Sequence, residues 1–596
     1  MDSMKSFESY SKADELEEQA YRKKTRKRII IIGLSIVILI AIIIAAVLGT
    51  LLPVKKSKSL ENQATYTAET INAMCNVTRY PDSCDSSIAA LRSSSNDTNP
   101  NPGPAEIFTL SMKVALNELI RLSSLPQKII SSYVNSDPLV RGALDNCETL
   151  FKDAVEYINE SISSVQVGQG EKMLLSTAKI NDIMTWLSSA ITNQETCLDG
   201  LIEAANHTAI PQELEYAMRN STEFSSNSLA IASHIKIILQ RFQLPTHRKL
   251  LKLDNHPGHE SDSSFPSWVH SGDRRLLPEE NPKPDLTVAQ DGTGDFRTIS
   301  EAVKLIPEKN ESRLVIYVKE GVYLENVKID KDYWNVMIYG DGMYKTIVSG
   351  SLNKVDGTPT FSSGTFIAAG RGFIAKDMGF KNTAGPVKEQ AVALRSSSDQ
   401  SVFYRCYFDA YQDTLYTHSN RQFYRDCHVT GTIDFIFGNA AVVLQNCSIQ
   451  PRQPGPDQFN TITAQSKTDP NQNTGMSIQR CQITPFDNLT ATSYLGRPWK
   501  DFATTIFMQS YIGEFVDPEG WTERSQGVDP PNTLFFAEYE NLGPGSGISE
   551  RINWPGVKPN ITNEEATRFT VESFIQGSHW LPKANIMYES SLESGR

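Results

Sequence analysis

"FYRCYFDAYQDTLY" (Phe403–Tyr416) is followed in the same chain by "FYRDCHVTGTIDFIF" (Phe423–Phe437). Phe-Tyr-Arg recurs after 20 residues, and the pairs Cys406/Cys427 and Asp413/Asp434 recur after 21. Val443 and Cys447 carry the series one step further. Around this stretch the chain is written in short apolar runs, such as "RLVIYVK", "NVMIYG", "GFIAKDMGF" and "AVVLQNCSI", punctuated by Gly, Asn and Asp. A period near 20 residues built on short strands predicts a solenoid. In a parallel β-helix each period is one coil, and equivalent side chains stack at about 4.8 Å on the next coil. An antiparallel sandwich does not easily keep three cysteines in phase. Residues 284–596 are therefore expected to form an all-β parallel β-helix with aromatic, cysteine and aspartate ladders.

The aspartate ladder carries chemistry. Asp413 stacked on Asp434 sets two carboxylates roughly 5 Å apart. Like charges that close resist simultaneous ionisation, so one pKa rises and the pair titrates as a unit. An acid and a carboxylate nucleophile need that arrangement. The plainer alternative is an aspartate that faces solvent or caps a turn. Neighbours favour the chemical reading. Gln412 and Gln390 bring amides that can donate to a developing oxyanion. "YLGRPW" supplies Arg497, able to hold a carboxylate ionised, and Trp499, a flat face for a sugar ring. Tyr411, Phe435 and Phe437 either extend such a groove or pack the coil. The β region has no G-x-S-x-G, Walker loop, H-E-x-x-H or C-x-x-C, and "GDGMYK" at Gly340 is a turn. His418, His428 and His579 are scattered, so no metal and no cofactor is expected.

The chain has 596 residues and a formal net charge of −12, which disfavours nucleic acid as the main partner. Ile29–Leu52 is an uncharged run of 24 residues preceded by "RKKTRKR". This predicts a transmembrane signal anchor over 29–52 with a basic cytosolic tail over 1–28 and the remainder outside. Nine Asn-x-Ser/Thr sequons and all eight cysteines follow that run, consistent with an oxidising route. Residues 65–242 read as an all-α helical bundle. Leu144, Cys147, Phe151, Ala154, Val155 and Ile158 mark one apolar stripe, and Ile180, Ile183, Met184, Leu187 and Ile191 another. Cys75, Cys84, Cys147 and Cys197 lie here and allow three pairings. Residues 243–283 lack periodicity and read as a linker. It carries "RKLL" and "RRLL", so Arg248, Lys249, Arg274 and Arg275 are candidate processing sites in accessible chain.

"GVYLENV" (Gly321–Val327), "QAVALR" (Gln390–Arg395), "YQDTLY" (Tyr411–Tyr416), "GTIDFIFGNA" (Gly431–Ala440) and "YLGRPW" (Tyr494–Trp499) together resemble the signature blocks of plant pectin methylesterases. The likeness runs from about Pro284 to Pro582. The region from about Tyr66 to Gln240 resembles the pectin methylesterase inhibitor domain, and the linker tetrapeptides resemble processing sites of such two-part precursors. The resemblance implies a right-handed parallel β-helix and a carboxylic ester hydrolase acting on methyl-esterified homogalacturonan, releasing methanol and free carboxylates. It implies Asp434 as nucleophile, Asp413 as acid/base, Gln390 and Gln412 at the oxyanion, Arg497 orienting Asp434, and Thr360, Gln390, Arg497 and Trp499 on the substrate. It also implies disulfides Cys75–Cys84, Cys147–Cys197 and Cys427–Cys447, with Cys406 and Cys481 free. Expected partners are pectin, a processing protease, separate inhibitor proteins and, through the anchor, the membrane. The expected course is a membrane-anchored precursor whose helical part keeps the enzyme silent until cleavage releases it to the cell wall. Polygalacturonases and pectate lyases share the fold, but a stacked aspartate pair leaves no room for a water between its carboxylates. Ser466-Lys467 stands where the family commonly has Gly-Arg, and "GWTERSQG" lacks a second Trp often found there.

Overall fold

The computed structural model describes residues 69–94, 102–132, 137–166, 176–205, 207–242 and 281–592, apart from Gln526 and Asp529. The fold-class expectation is corrected at its N-terminal end. Among the described residues no helix is long and apolar enough to cross a membrane. The run 29–52 and its basic tail lie outside the described residues. The four candidate processing residues in the linker lie outside them too. The described fold is thus a helical bundle followed by a parallel β-helix.

The bundle contains the helices Pro81–Ser94, Pro104–Ser123, Leu125–Ser132, Pro138–Gln166, Thr177–Ala205 and Ile210–Phe242. Leu144, Cys147, Phe151, Ala154 and Ile158 are fully buried, as their spacing of three and four requires on one helix face. Disulfides Cys75–Cys84 and Cys147–Cys197 tie it together. The helix Thr177–Ala205 behaves differently. Nearly every residue from Ile180 to Gln194 is buried, polar Thr185, Ser188, Ser189, Thr192 and Asn193 included. Its apolar stripe faces the bundle, and its small polar stripe lies on the β-helix. We call it the groove helix.

The β-helix is built from three parallel sheets of eleven, eight and seven strands. The central coils contribute one strand to each, and the eleven-stranded sheet extends beyond the other two. In the eleven-stranded sheet Val402 pairs with Phe423, which pairs with Val443, while Phe403 pairs with Tyr424, which pairs with Leu444. The spacing is therefore 21 and then 20, and Phe-Tyr-Arg recurs one residue out of register. A one-residue slip exchanges the faces of a strand. Phe403 points inward and stacks on Tyr424 with ring centroids 4.7 Å apart. Phe423 instead points outward, into a cluster with Val402, Val443 and the C-terminal residues Val571, Ile575, Trp580 and Leu581. Truncating an inward ring such as Phe403 to Ala costs about 3–5 kcal/mol through lost transfer energy and a cavity.

Between the eleven- and eight-stranded sheets each coil turns on a single residue in the left-handed region. Arg405 (φ 51°), Asp426 (53°), Asn446 (56°) and Arg480 (56°) occupy this position in successive coils. The residue after each is a cysteine: Cys406, Cys427, Cys447 and Cys481, all buried and all unbonded. The expected Cys427–Cys447 bridge is corrected accordingly. Each thiol keeps the same orientation. Cys427 Sγ donates to Phe403 O (3.3 Å) and Cys481 Sγ to Leu444 O (3.4 Å), a carbonyl of the preceding coil. A disulfide would need two members of the stack to turn toward each other and abandon those carbonyls. Burial pushes the Cys427 and Cys481 thiols up, which disfavours the reactive thiolate.

Candidate active site

The seven-stranded sheet carries the site. Leu415 pairs with Ile436 and Tyr416 with Phe437, so the residues two before each strand partner, Asp413 and Asp434, stand on adjacent coils. Asp413 N donates to Ile433 O at 3.0 Å. Both aspartates adopt the left-handed region, with φ of 65° and 50°. Asp tolerates that conformation better than larger side chains, and here it turns both carboxylates out of the strand into a groove. One coil further on, Thr461 Oγ1 donates to Asp434 Oδ1 (2.6 Å) and receives the Asp434 amide (2.8 Å). Arg497, in the strand Ser493–Pro498, forks onto Asp434: Nε to Oδ1 at 2.8 Å and NH2 to Oδ2 at 2.7 Å.

These contacts split the pair. Asp434 receives three side-chain donors in all, and ionised carboxylate is the form that accepts them. Among the described residues Asp413 receives no side-chain donor, and its pKa is raised well above the ordinary carboxylate range, first by burial, then by the charges of Asp434 and Glu203. Burial opposes the Arg497 charge, but Asp434 outweighs it, and the Arg497 pKa is raised. Asp434 is therefore held and oriented by three donors, while burial beside it favours the protonated form of Asp413.

A cavity of about 480 Å³ opens on this pair, lined on the β-helix side by Thr360, Gln390, Gln412, Phe437, Arg497 and Trp499 among others. The Gln390 Oε1 atom is buried with no hydrogen-bond partner. Phe437 stacks on Tyr416 at 4.1 Å within the lining, whereas Phe435 is fully buried in the coil core. Tyr411 lies to one side under the Arg452 guanidinium, 4.5 Å from its ring.

The opposite wall is the groove helix. Glu203 accepts from Thr360 Oγ1 (2.7 Å), and Asp199 accepts from Lys500 Nζ (2.6 Å) and Trp499 Nε1 (3.4 Å). Its polar stripe continues the contact: Ser189 Oγ to Asn420 Oδ1 (2.8 Å), Asn439 Nδ2 to Thr192 Oγ1 (2.9 Å) and Gln472 Nε2 to Ser188 O (3.0 Å). Asp182 pairs with the buried Arg421, and Lys331 bridges to Asp153 and Glu156.

Comparison with known proteins accords with this geometry. A pectinesterase family model matches residues 285–578, and a plant invertase/pectin methylesterase inhibitor model matches 69–231. Pectinesterase 3 of Phaseolus vulgaris is 53% identical over 99% of this chain and 100% of its own. The chain belongs to the pectinesterase family. It is a carboxylic ester hydrolase that demethylesterifies pectin, with an inhibitor-type domain ahead of the esterase domain. Pectinesterase 1 of Arabidopsis thaliana is 50% identical over 99% of this chain and 100% of its own. Among solved structures, pectin methylesterase from carrot superposes with a TM-score of 0.51 at 48% identity, covering 53% of this chain and 100% of its own.

Asp413, Asp434, Gln390, Gln412, Arg497, Thr360 and Trp499 all reach one cavity, as does Phe437, whereas Tyr411 and Phe435 do not line it. Sequence reading missed Thr461, because its coil carries a longer loop and breaks the 21-residue spacing. It also missed Glu195, Asp199 and Glu203. Their signal is an acidic series at intervals of four on a helix otherwise buried, which has meaning only once the covering surface is known.

Proposed function

We propose that this pectinesterase hydrolyses homogalacturonan methyl esters through an aspartyl acyl-enzyme, with Asp434 as nucleophile and Asp413 as acid/base. An Asp434 oxygen attacks the C6 ester carbonyl. Gln390 and Gln412 amides donate to the tetrahedral oxyanion. Collapse breaks the C–O bond to the methoxy group, and Asp413 gives that oxygen its proton, so methanol leaves. Water then attacks the acyl-enzyme while Asp413 takes a proton back. The free galacturonate carboxylate departs, and Asp434 returns as an anion beside Arg497. Thr360 and Trp499 contact the sugar chain.

The observation that carries this reading is the divided pair: Asp434 is held by two Arg497 nitrogens at 2.8 and 2.7 Å, and Asp413 beside it is buried with its pKa pushed up. A nucleophile must be ionised and a departing alkoxide needs a proton, so the two roles fall on different residues.

The groove helix supports a second part of the proposal. It walls the cavity and holds Thr360, Trp499 and Lys500, so on this reading the chain is a silent precursor until a protease cuts the linker after Arg248-Lys249 or Arg274-Arg275. The esterase part is then free in the cell wall, and the exposed groove can take a separate inhibitor protein of the same helical type.

Methanol release from highly methylated pectin tests the reading, using the fragment Asn281–Arg596 beside its Asp434→Asn form. The isostere keeps shape and removes the attacking anion, so release falls by roughly a thousandfold or more. Equal release by both would refute Asp434 as nucleophile. Full release by the uncut chain would refute the covering role of the groove helix.

A further inference from the structure

Glu195, Asp199 and Glu203 stand four residues apart and share one face of the groove helix. Two of them converge on one cation. Lys500 Nζ lies 2.6 Å from Asp199 Oδ1 and 3.4 Å from Glu195 Oε2, with its side chain only 18% exposed. These are its ion pairs among the described residues, and both acids belong to the inhibitor-type domain. Asp501, next in the chain, makes no ion pair with Lys500 among the described residues. Arg524 stacks over the Trp499 ring at 4.0 Å and donates to Trp499 O at 2.8 Å. That puts a second cation at the same end of the cavity.

Two other cations along the cavity, Arg497 and Lys354, are already neutralised within the esterase domain. Arg497 is spent on Asp434, and Lys354 pairs with Glu389 at 2.9 Å. Lifting the groove helix away therefore leaves the Lys500 ammonium without these two counter-ions, beside Trp499 in the groove. Burying a cation is costly unless an anion meets it. A methyl ester offers only a carbonyl oxygen, whereas a free uronate offers a full charge.

We propose that Lys500 binds an unesterified uronate carboxylate of the pectin chain, in a unit other than the one being hydrolysed, and that Asp199 and Glu195 occupy this position in the covered chain. The groove helix thus copies the charge of a demethylated segment. The site favours chains that already carry free carboxylates over fully esterified ones. This rests on the reading of the cavity as the pectin-binding groove.

The test is titration calorimetry of a fully de-esterified oligogalacturonide, which is not turned over, against the fragment Asn281–Arg596. The esterase half has its own core clusters, and the solved carrot chain matches 53% of this chain over its entire length. Lys500→Gln is expected to raise Kd roughly five- to tenfold, and Lys500→Arg to restore it to within about twofold. The difference shrinks as salt is added. An unchanged Kd in Lys500→Gln overturns the proposal. So does an equal loss in Lys500→Gln and Lys500→Arg, which would make Lys500 a packing residue. Methanol release by the wild-type fragment is read separately: its absence alongside an intact Lys500 effect would sink the esterase mechanism and leave the carboxylate site standing.

Discussion

Arg497→Lys isolates what the fork on Asp434 contributes. Arg497 makes two charge-assisted bonds to Asp434, at 2.8 and 2.7 Å, from a side chain 16% exposed to a carboxylate 5% exposed. Lysine keeps the charge but presents a point donor, so one bond is lost and the carboxylate is free to rotate. A hydrogen bond to a charged group contributes about 1.5–3 kcal/mol, and about 1.4 kcal/mol is tenfold in rate. The expected loss is therefore roughly 10- to 100-fold in kcat. KM for pectin should stay within about threefold, because Arg497 acts on the nucleophile rather than on the sugar chain. The assay is methanol release by the fragment Asn281–Arg596 at saturating pectin. Arg497→Met removes the charge as well and leaves two adjacent carboxylates without a cation. It should lose more activity and destabilise the fold by about 3–5 kcal/mol. If Arg497→Lys kept kcat within twofold while Arg497→Met lost it, charge alone would suffice and the orienting role would be refuted.

Docking of the helical part should tighten as pH falls from about 7.5 to 5.5. Burial raises Asp153, Glu160, Glu195, Glu203 and Asp413, each on or facing the contact. A raised acid contributes stability that is present at low pH and lost as pH rises through its docked pKa. His418, bonded to Thr196 across the contact, is lowered by burial and opposes the trend, but it is one group against five. Buried Lys467, lowered to about 8, stays protonated across most of this window. Affinity of the separated helical part for the esterase part, measured at both pH values, checks the sign, and weaker docking at pH 5.5 would contradict it. For the cysteine ladder, thiol reagent should label none of Cys406, Cys427, Cys447 and Cys481 in the native fragment and all four after unfolding. Labelling of only Cys406 and Cys481 would restore the Cys427–Cys447 bridge.

The sequence by itself determined the β-helix and most of its site, because a coil of nearly constant length turns spacing along the chain into distance in space. Asp413 and Asp434 could be read as neighbours from a separation of 21 residues, and Arg497 with Trp499 from a motif. The same rule failed wherever the coil changed length by one residue or many. Phe403 and Phe423 look equivalent but face opposite sides of their sheet. Cys481 joins the thiol ladder 34 residues after Cys447, where the sequence shows no period. The span expected over 29–52 falls outside the described residues, and local hydropathy alone could not place it in the fold.

What only the tertiary structure decided is the meeting of the two halves. Ser188, Ser189 and Thr192 read as an ordinary polar helix face, and Asn420, Asn439 and Gln472 as loop residues. Each became buried because the other supplied its hydrogen-bond partners. Such complementarity joins residues more than 200 positions apart with no repeat to align them. The charge that Asp199 and Glu195 bring to Lys500 is set in the same way. A helix stripe shows which side is polar, but which surface it will meet depends on the shape and charge of both partners once folded.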